Sequence, residues 1–455
     1  MTGLNLLTIA AACGGQYVGD KALADCQPNE IVIDSRLVQP GNLFAALPGE
    51  KVDGHTFVAK AFDAGAAACL VTHVPEGEIR PCIVVEDVVN AMGDIAAAYR
   101  ATLQIPIVGI TGSVGKTTMK EMISSILEQR FSVLKTDKNY NNHMGVPMTL
   151  SRINPEHRVA VVEMGINHFG EMEYLAKIVR PDVAVFTNIG RAHLEYLGDR
   201  FGVLMAKTEM MPYIKPTGCA FVCGDDDLLA HYGYKNLDIF TFGTGETCDI
   251  HAENIVVHGK DGTTCDVVCL DRRIPVTIHA YGKYMILAAL GAAAVCLNFG
   301  MSDADIAAGI AAYQPVGGRA AVIETEKLTI INDCYNANPD SMKSAIESLA
   351  MCPGRRVAVL GDMYELGSDS VAMHREMGEV CVKEGIDELI TCGELGKDIA
   401  AAAKEAGMTA VTHFADRDSL LNEVSGVVQN GDYVLVKASH GLHLGAVVEA
   451  MEQMR

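Results

Sequence analysis

Short runs of consecutive apolar residues punctuate this chain, and between them apolar positions recur at three- and four-residue spacing. The first pattern is that of strands buried on both faces, the second that of amphipathic helices. Residues 1–103 mix β-like runs (Ile31-Val32-Ile33, Cys69-Leu70-Val71, Cys82-Ile83-Val84-Val85) with Gly/Pro turns and Ala-rich helical stretches. Residues 104–313 open on a strand over 105–110, followed by strands over 159–162 and 183–186 with helical stretches between them. Gln314-Pro315-Val316-Gly317-Gly318 reads as a hinge. Residues 314–455 then alternate again, with strands over 357–360, 388–391 and 433–436. Strand–helix–strand alternation predicts mostly parallel sheets, so the expected class is α/β in three domains.

Length agrees, since 455 residues at about 150 per domain make about three domains. An apolar share of 49% with 20% charged residues excludes a mainly disordered chain. Lys and Arg number 36 against 57 Asp and Glu, a net charge of −21. Such a surface repels a phosphate backbone, so no nucleic-acid partner is expected, although a local cationic pocket for a small anion is not excluded. The longest apolar run, 285–297, is too short to span a membrane. Met1 to Ala12 has an apolar stretch without a basic flank and does not read as a secretory leader. The fourteen cysteines are scattered, and a cytoplasmic protein with reduced thiols is expected. Cys219/Cys223 and Cys265/Cys269 are the nearest approach to a zinc cluster, but their spacing is C-x3-C and they lie in β-like stretches, so they read as small buried hydrophobes.

Chemistry enters at Thr111-Gly112-Ser113-Val114-Gly115-Lys116-Thr117-Thr118. A strand runs into this segment, and a helix carrying Met119, Met122, Ile123, Ile126 and Leu127 runs out. That is the setting of a phosphate loop: glycines turn backbone N–H groups inward, the helix start adds positive potential, Lys116 reaches the β/γ-phosphates, and the Thr117 hydroxyl suits Mg2+. The strict G-x4-G-K-[ST] pattern fails at its first glycine, where Ile110 stands. Glu163 ends an apolar strand, the place where ligands gather in an open α/β sheet. His193 lies just past another strand end, in Thr187-Asn188-Ile189-Gly190-Arg191-Ala192-His193-Leu194-Glu195. Lys207, taken alone, is an ordinary helix lysine.

The loop, Glu163-Met164-Gly165 and the segment 187–195 are together similar to the Mur ligase family, ATP-dependent ligases that extend the peptidoglycan precursor peptide. The resemblance covers nearly the whole chain. It implies a small N-terminal UDP-substrate domain, a central P-loop-type domain with a mostly parallel sheet, and a C-terminal Rossmann-like domain. Asp34-Ser35-Arg36 with Pro40-Gly41-Asn42-Leu43-Phe44 and Asp53-Gly54-His55, the stretch 139–147 around Asn142, the stretch 333–342 and Leu360-Gly361-Asp362-Met363-Tyr364-Glu365-Leu366-Gly367 resemble one branch in particular. The substrates of that branch are UDP-N-acetylmuramoyl-tripeptide and D-alanyl-D-alanine.

By this resemblance ATP is held by residues 111–118 with Asn142, Arg319 and Asp333. Two Mg2+ ions are held by Thr117, Glu163, His193 and a carbamylated Lys207, with Lys116, Glu163, His193 and Lys207 as the catalytic set. Asp34, Ser35 and Arg36 are expected on the UDP substrate, and Asn336, Asn338 and Ser341 on the dipeptide. For the last three a capped turn before a helix is the alternative reading, and the two are compatible. A monomer is expected. The chain departs from the family at Gly282-Lys283-Tyr284-Met285-Ile286-Leu287-Ala288, where relatives carry Gly-x-His-Asn-x-x-Asn. It departs also at Asn332-Asp333, for Asp-Asp, and at Lys437-Ala438-Ser439-His440, for Lys-Gly-Ser-Arg. His440 matters most, because Arg forks a carboxylate with two bonds and His cannot. A sister ligase with another precursor or amine, a nucleotide-dependent switch and a non-catalytic family member are the alternatives.

Overall fold

A computed structural model describes residues 1–49, 52–282 and 284–454; Lys283, quoted above among the departures, lies outside the described residues. Among these the chain forms three sheets, of five, nine and six strands. The N-terminal sheet runs Gln16–Val18, Cys82–Val84, Ala68–Val71, Leu43–Ala45, Ile31–Val32, with only the first pair antiparallel. Its last helix, Val88–Thr102, docks on the central region: Arg100 reaches the Val179 carbonyl at 2.8 Å and Asp182 at 2.9 Å. One continuous apolar core joins the two regions.

In the central sheet Ile107–Thr111 lies between Val159–Glu163 and Val183–Phe186, all parallel. The strand begins after Pro106, which has no N–H to donate, rather than at residue 105. The chain leaves Ile107–Thr111 on one side and returns on the other, so its carboxyl end opens on the crevice where α/β sheets bind ligands. Register pairs Ile110 with Glu163 and Thr111 with Phe186, which puts Glu163 and Thr187 beside the glycine loop. The far edge is an antiparallel meander of Ile250–Val257, Thr263–Cys269 and Arg272–Ile278. Cys219/Cys223 and Cys265/Cys269 stand on strands separated by two others, about 14 Å at the usual strand spacing. Burial pushes the Cys219 and Cys265 thiols up to about 11 and Cys223 up to about 12, so these are packing residues. The apolar run at 285–297 is a buried helix, Met285–Asn298, laid along the helix Lys116–Leu127. No helix of the described residues is long and apolar enough to cross a membrane.

The C-terminal sheet runs Ala321–Glu324, Thr329–Asn332, Tyr433–Lys437, Arg356–Gly361, Glu388–Cys392, Val411–Phe414, parallel except for its first pair. Alternate residues of its strands feed opposite faces. Ile331, Ala358, Leu360, Leu389 and Leu435 enter one core, and Ile330, Val357, Val359, Ile390, Val434 and Val436 the other. Tyr281 of the central region is buried in the first of these cores, its hydroxyl 3.4 Å from Cys352 Sγ.

Candidate active site

A cleft of about 910 Å³ lies where the central and C-terminal regions face each other, with Val89 and Asn90 of the N-terminal region at one end. The glycine loop forms its floor. Gly112 has φ +148°, and a Cβ there would lie 1.9 Å from Thr187 Oγ1, so only glycine fits. Gly115, at φ +81°, starts the helix Lys116–Leu127. Asn188 and Thr187 brace the turn: Val114 N donates to Asn188 Oδ1 at 2.9 Å, and Thr187 Oγ1 donates to the Val114 carbonyl at 2.6 Å. Ser113 N donates to the Asn188 carbonyl at 3.0 Å. Lys116 Nζ donates to the Gly112 carbonyl at 2.7 Å. Burial lowers its pKa, Glu163 opposes that shift and Arg319 adds to it. Thr111 is fully buried, with its hydroxyl unpaired among the described residues, and Thr118 is buried in the first helical turn.

The Glu163 carboxylate is buried and fully engaged. Thr117 Oγ1 donates to one oxygen and Asn141 Nδ2 to the other, each at 2.8 Å, while Glu163 N donates to Thr136 Oγ1 at 3.0 Å. Threonine hydroxyl and carboxylate together make the hard oxygen set that Mg2+ takes. His193 has a left-handed backbone, φ 57°, and burial lowers its pKa despite the Glu365 carboxylate 2.5 Å from Nδ1. Lys207, on the helix Arg200–Thr208, is fully buried, and its Nζ has no partner among the described residues. Burial first, and Lys116 second, hold its pKa well below 10.5. As an ammonium this group would repel a cation. As a neutral amine it could take up CO2, and the resulting carbamate would carry the negative charge that a metal ligand needs.

From the C-terminal region Asp333 accepts from Lys437 Nζ at 2.6 Å and from Ala320 N at 3.1 Å, fixing the turn that carries Arg319. The Arg319 guanidinium lies 3.6 Å above the Tyr335 ring. Tyr335 meets His440 edge-on, and His440 meets His443. Asn338 and Ser341 form a reciprocal capping box at the start of Pro339–Leu349, so the capped turn is present in the very residues that line the cleft. Asn336 also lines it, its Oδ1 accepting from Ala337 N at 2.9 Å. Asn142 lines the cleft with its Oδ1 turned to the N–H groups of Met144 and Gly145. At the departure site the wall is apolar and aromatic: Tyr284, Met285, Leu287 and Ala288.

The structure therefore gathers the loop, Glu163, His193, Asn142, Arg319, Asp333, Asn336, Asn338 and Ser341 around one cleft. Lys207 is buried behind it, close enough to affect His193 electrostatically. Asp34, Ser35 and Arg36 do not join them. They form a turn with Asp34 and Ser35 half-buried and Arg36 exposed, in which Arg36 grips Asp34 at 2.7 Å and holds its carboxyl down at about 2. Sequence reasoning assigned no role to Asn141, Thr187, Asn188, Lys437 or Glu365, although each stands inside a stretch it had singled out.

Residues 110–296 match the Mur ligase middle domain, 318–440 the Mur ligase glutamate ligase domain and 29–107 the Mur ligase family catalytic domain. The UDP-N-acetylmuramoyl-tripeptide–D-alanyl-D-alanine ligase of Bacillus subtilis is 37% identical over 427 residues, 92% of each chain. The enzyme of that name from Escherichia coli is 35% identical over 362 residues, 78% of each. Among solved structures, MurF from Acinetobacter baumannii superposes with a TM-score of 0.87 at 32% identity over 99% of both chains. MurF ligase from Thermotoga maritima in complex with ADP gives 0.82 at 28% identity, covering 95% of this chain and 98% of that one.

Proposed function

The chain belongs to the Mur ligase family, and we propose that it joins D-alanyl-D-alanine to UDP-N-acetylmuramoyl-tripeptide at the expense of ATP, forming ADP and phosphate. The observation that carries this reading is one cleft holding a phosphate loop, a buried Thr117–Glu163 pair, His193 and C-terminal polar residues, with an unpartnered buried lysine behind it. A switch has no use for such an assembly, and relatives aligned over most of the chain disfavour a sister ligase with another amine.

A carboxylate does not react with an amine at neutral pH, because oxide is a poor leaving group. In the proposed sequence a carboxylate oxygen of the tripeptide attacks the γ-phosphorus and ADP leaves, giving an acyl phosphate. The dipeptide amine then attacks the acyl carbon, loses its proton, and phosphate departs with the former carboxylate oxygen. Lys116, at the loop mouth, places a positive charge where negative charge accumulates on the transferring phosphoryl group. Loop N–H groups and the helix start orient the phosphates. Arg319 and Asp333 approach the nucleotide from the C-terminal region, and Asn336, Asn338 and Ser341 face the incoming dipeptide. Docking of the C-terminal region completes the site and keeps water from the acyl phosphate. Thr117 with Glu163 would hold one Mg2+, and His193 with carbamylated Lys207 a second. Mg2+, when bound, supplies neutralisation of crowded anionic oxygens. We assign Asp34, Ser35 and Arg36 to the UDP end of the substrate, consistent with their place outside the cleft. The cytoplasm is the compartment we propose, where ATP is available and free thiols persist; the cleft is built within one chain, so a monomer suffices.

The mechanism is tested with tripeptide labelled with 18O in its terminal carboxylate. The account expects one label in each released phosphate. Phosphate without label would overturn the acyl-phosphate route.

A further inference from the structure

The loop after strand Val183–Phe186 meets the C-terminal region at three carboxylates. Arg191 donates from N to Asp340 at 2.6 Å, from Nε to the same carboxylate at 2.9 Å, and from its guanidinium to Glu376 at 2.6 and 3.2 Å. Two residues on, His193 Nδ1 lies 2.5 Å from Glu365. Glu365 holds this segment twice, because its carbonyl also accepts from Glu195 N at 3.2 Å. Gly367 packs so closely that a Cβ there would lie 3.3 Å from Glu195 Cα. The glutamate is thus anchored by its own carbonyl and by the close packing of Gly367, and its carboxylate is the partner of one imidazole nitrogen. Nε2 is the nitrogen left for the cleft that His193 lines with Thr117 and Glu163.

We propose that Glu365 is a positioning residue for His193: its carboxylate accepts the Nδ1 proton, fixes ring and tautomer, and leaves the Nε2 lone pair as a metal ligand. Because Glu365 comes from the C-terminal region, this metal seat is complete only when that region is docked. The inference rests on the reading of His193 as a metal ligand. It draws on the general rule that a ligating histidine is oriented by a second group on its other nitrogen, whose loss costs about 10–100-fold in metal affinity.

The test uses the full chain with ADP and Mn2+ as the probe, bound Mn2+ being read by electron paramagnetic resonance. His193→Ala is the reference variant. Glu365→Ala is expected to weaken the same Mn2+ site by about 10–100-fold, with ADP affinity and the radius of gyration in X-ray scattering unchanged. Glu365→Gln, which keeps an acceptor without the charge, should fall between. Wild-type Mn2+ binding in Glu365→Ala, with weakening in His193→Ala, overturns the positioning role. A changed radius with equal loss of ADP and Mn2+ also overturns it, marking Glu365 as a strut between regions. Unchanged Mn2+ binding in His193→Ala instead overturns the metal reading of His193 itself.

Discussion

Replacing Lys207 by methionine separates what this buried amine costs from what it does. The side chain is fully buried and Nζ has no partner among the described residues. Methionine matches its unbranched shape and removes the unsatisfied polar atom, which costs about 1–3 kcal/mol where it stands. The Lys207→Met protein should therefore be more stable by at least that amount, and by more at pH values below 10.5. The pH dependence sharpens the test. Burial holds the folded-state pKa well below 10.5. Between that lowered value and 10.5 the unfolded chain binds the extra proton, so stability rises with pH by about 1.4 kcal/mol per unit. The variant lacks this slope, and its advantage should shrink by about 1.4 kcal/mol per pH unit as pH rises through that window towards 10.5. The assay is urea unfolding in CO2-depleted buffer, followed by amide protection in the strand Ile107–Thr111. Bicarbonate should then stabilise the wild type alone, since the carbamate forms only in the native pocket. ADP formation should be lost. A variant less stable at pH 8, one with the wild-type slope, or one with full turnover would refute the reasoning.

Four further outcomes are expected. Lys207→Ala should be inactive and recover part of its ADP formation with small carboxylic acids; full activity without them removes the carbamate. Lys116→Ala should abolish ADP release in a coupled assay, and substantial residual turnover would sink its role. Gly112→Ala puts a Cβ against Thr187 Oγ1 at a φ that disfavours side chains, so calorimetry should show ATP affinity lower by at least about tenfold. Adding Thr187→Ala should restore only part, because the backbone strain remains. His440→Arg returns a forked carboxylate donor beside Tyr335 and should lower the KM for D-alanyl-D-alanine while leaving that for ATP unchanged.

Local patterns made much of the fold legible. The three strands expected at 105–110, 159–162 and 183–186 are strands of the central sheet, and the loop was recognisable because strand, glycines, Lys116 and helix are contiguous. Glu163 could be placed by its strand end alone. Of the antiparallel meander at 250–278 only the stretch around Cys265 and Cys269 read as β-like, although its neighbours carry the same alternation of half-buried faces. Lys207 looks like any helix lysine until its burial is seen, and only family resemblance singled it out. The cross-region contacts were out of reach for a different reason. Glu365 lies 172 residues from His193, and Asp340 and Glu376 lie 149 and 185 from Arg191. No periodicity encodes such pairings, which arise from how two sheets face each other. The Asn338–Ser341 box was legible as a cap, and the same geometry places it at the cleft.

Phosphate release tests the central claim most directly. The chain is supplied with ATP, Mg2+ and UDP-N-acetylmuramoyl-tripeptide, with diaminopimelate or lysine as third residue, in the presence and absence of D-alanyl-D-alanine. The account predicts release only when tripeptide and dipeptide are both present, in step with pentapeptide formation. Release undiminished without the dipeptide, or none with any precursor although ATP binds, would contradict it.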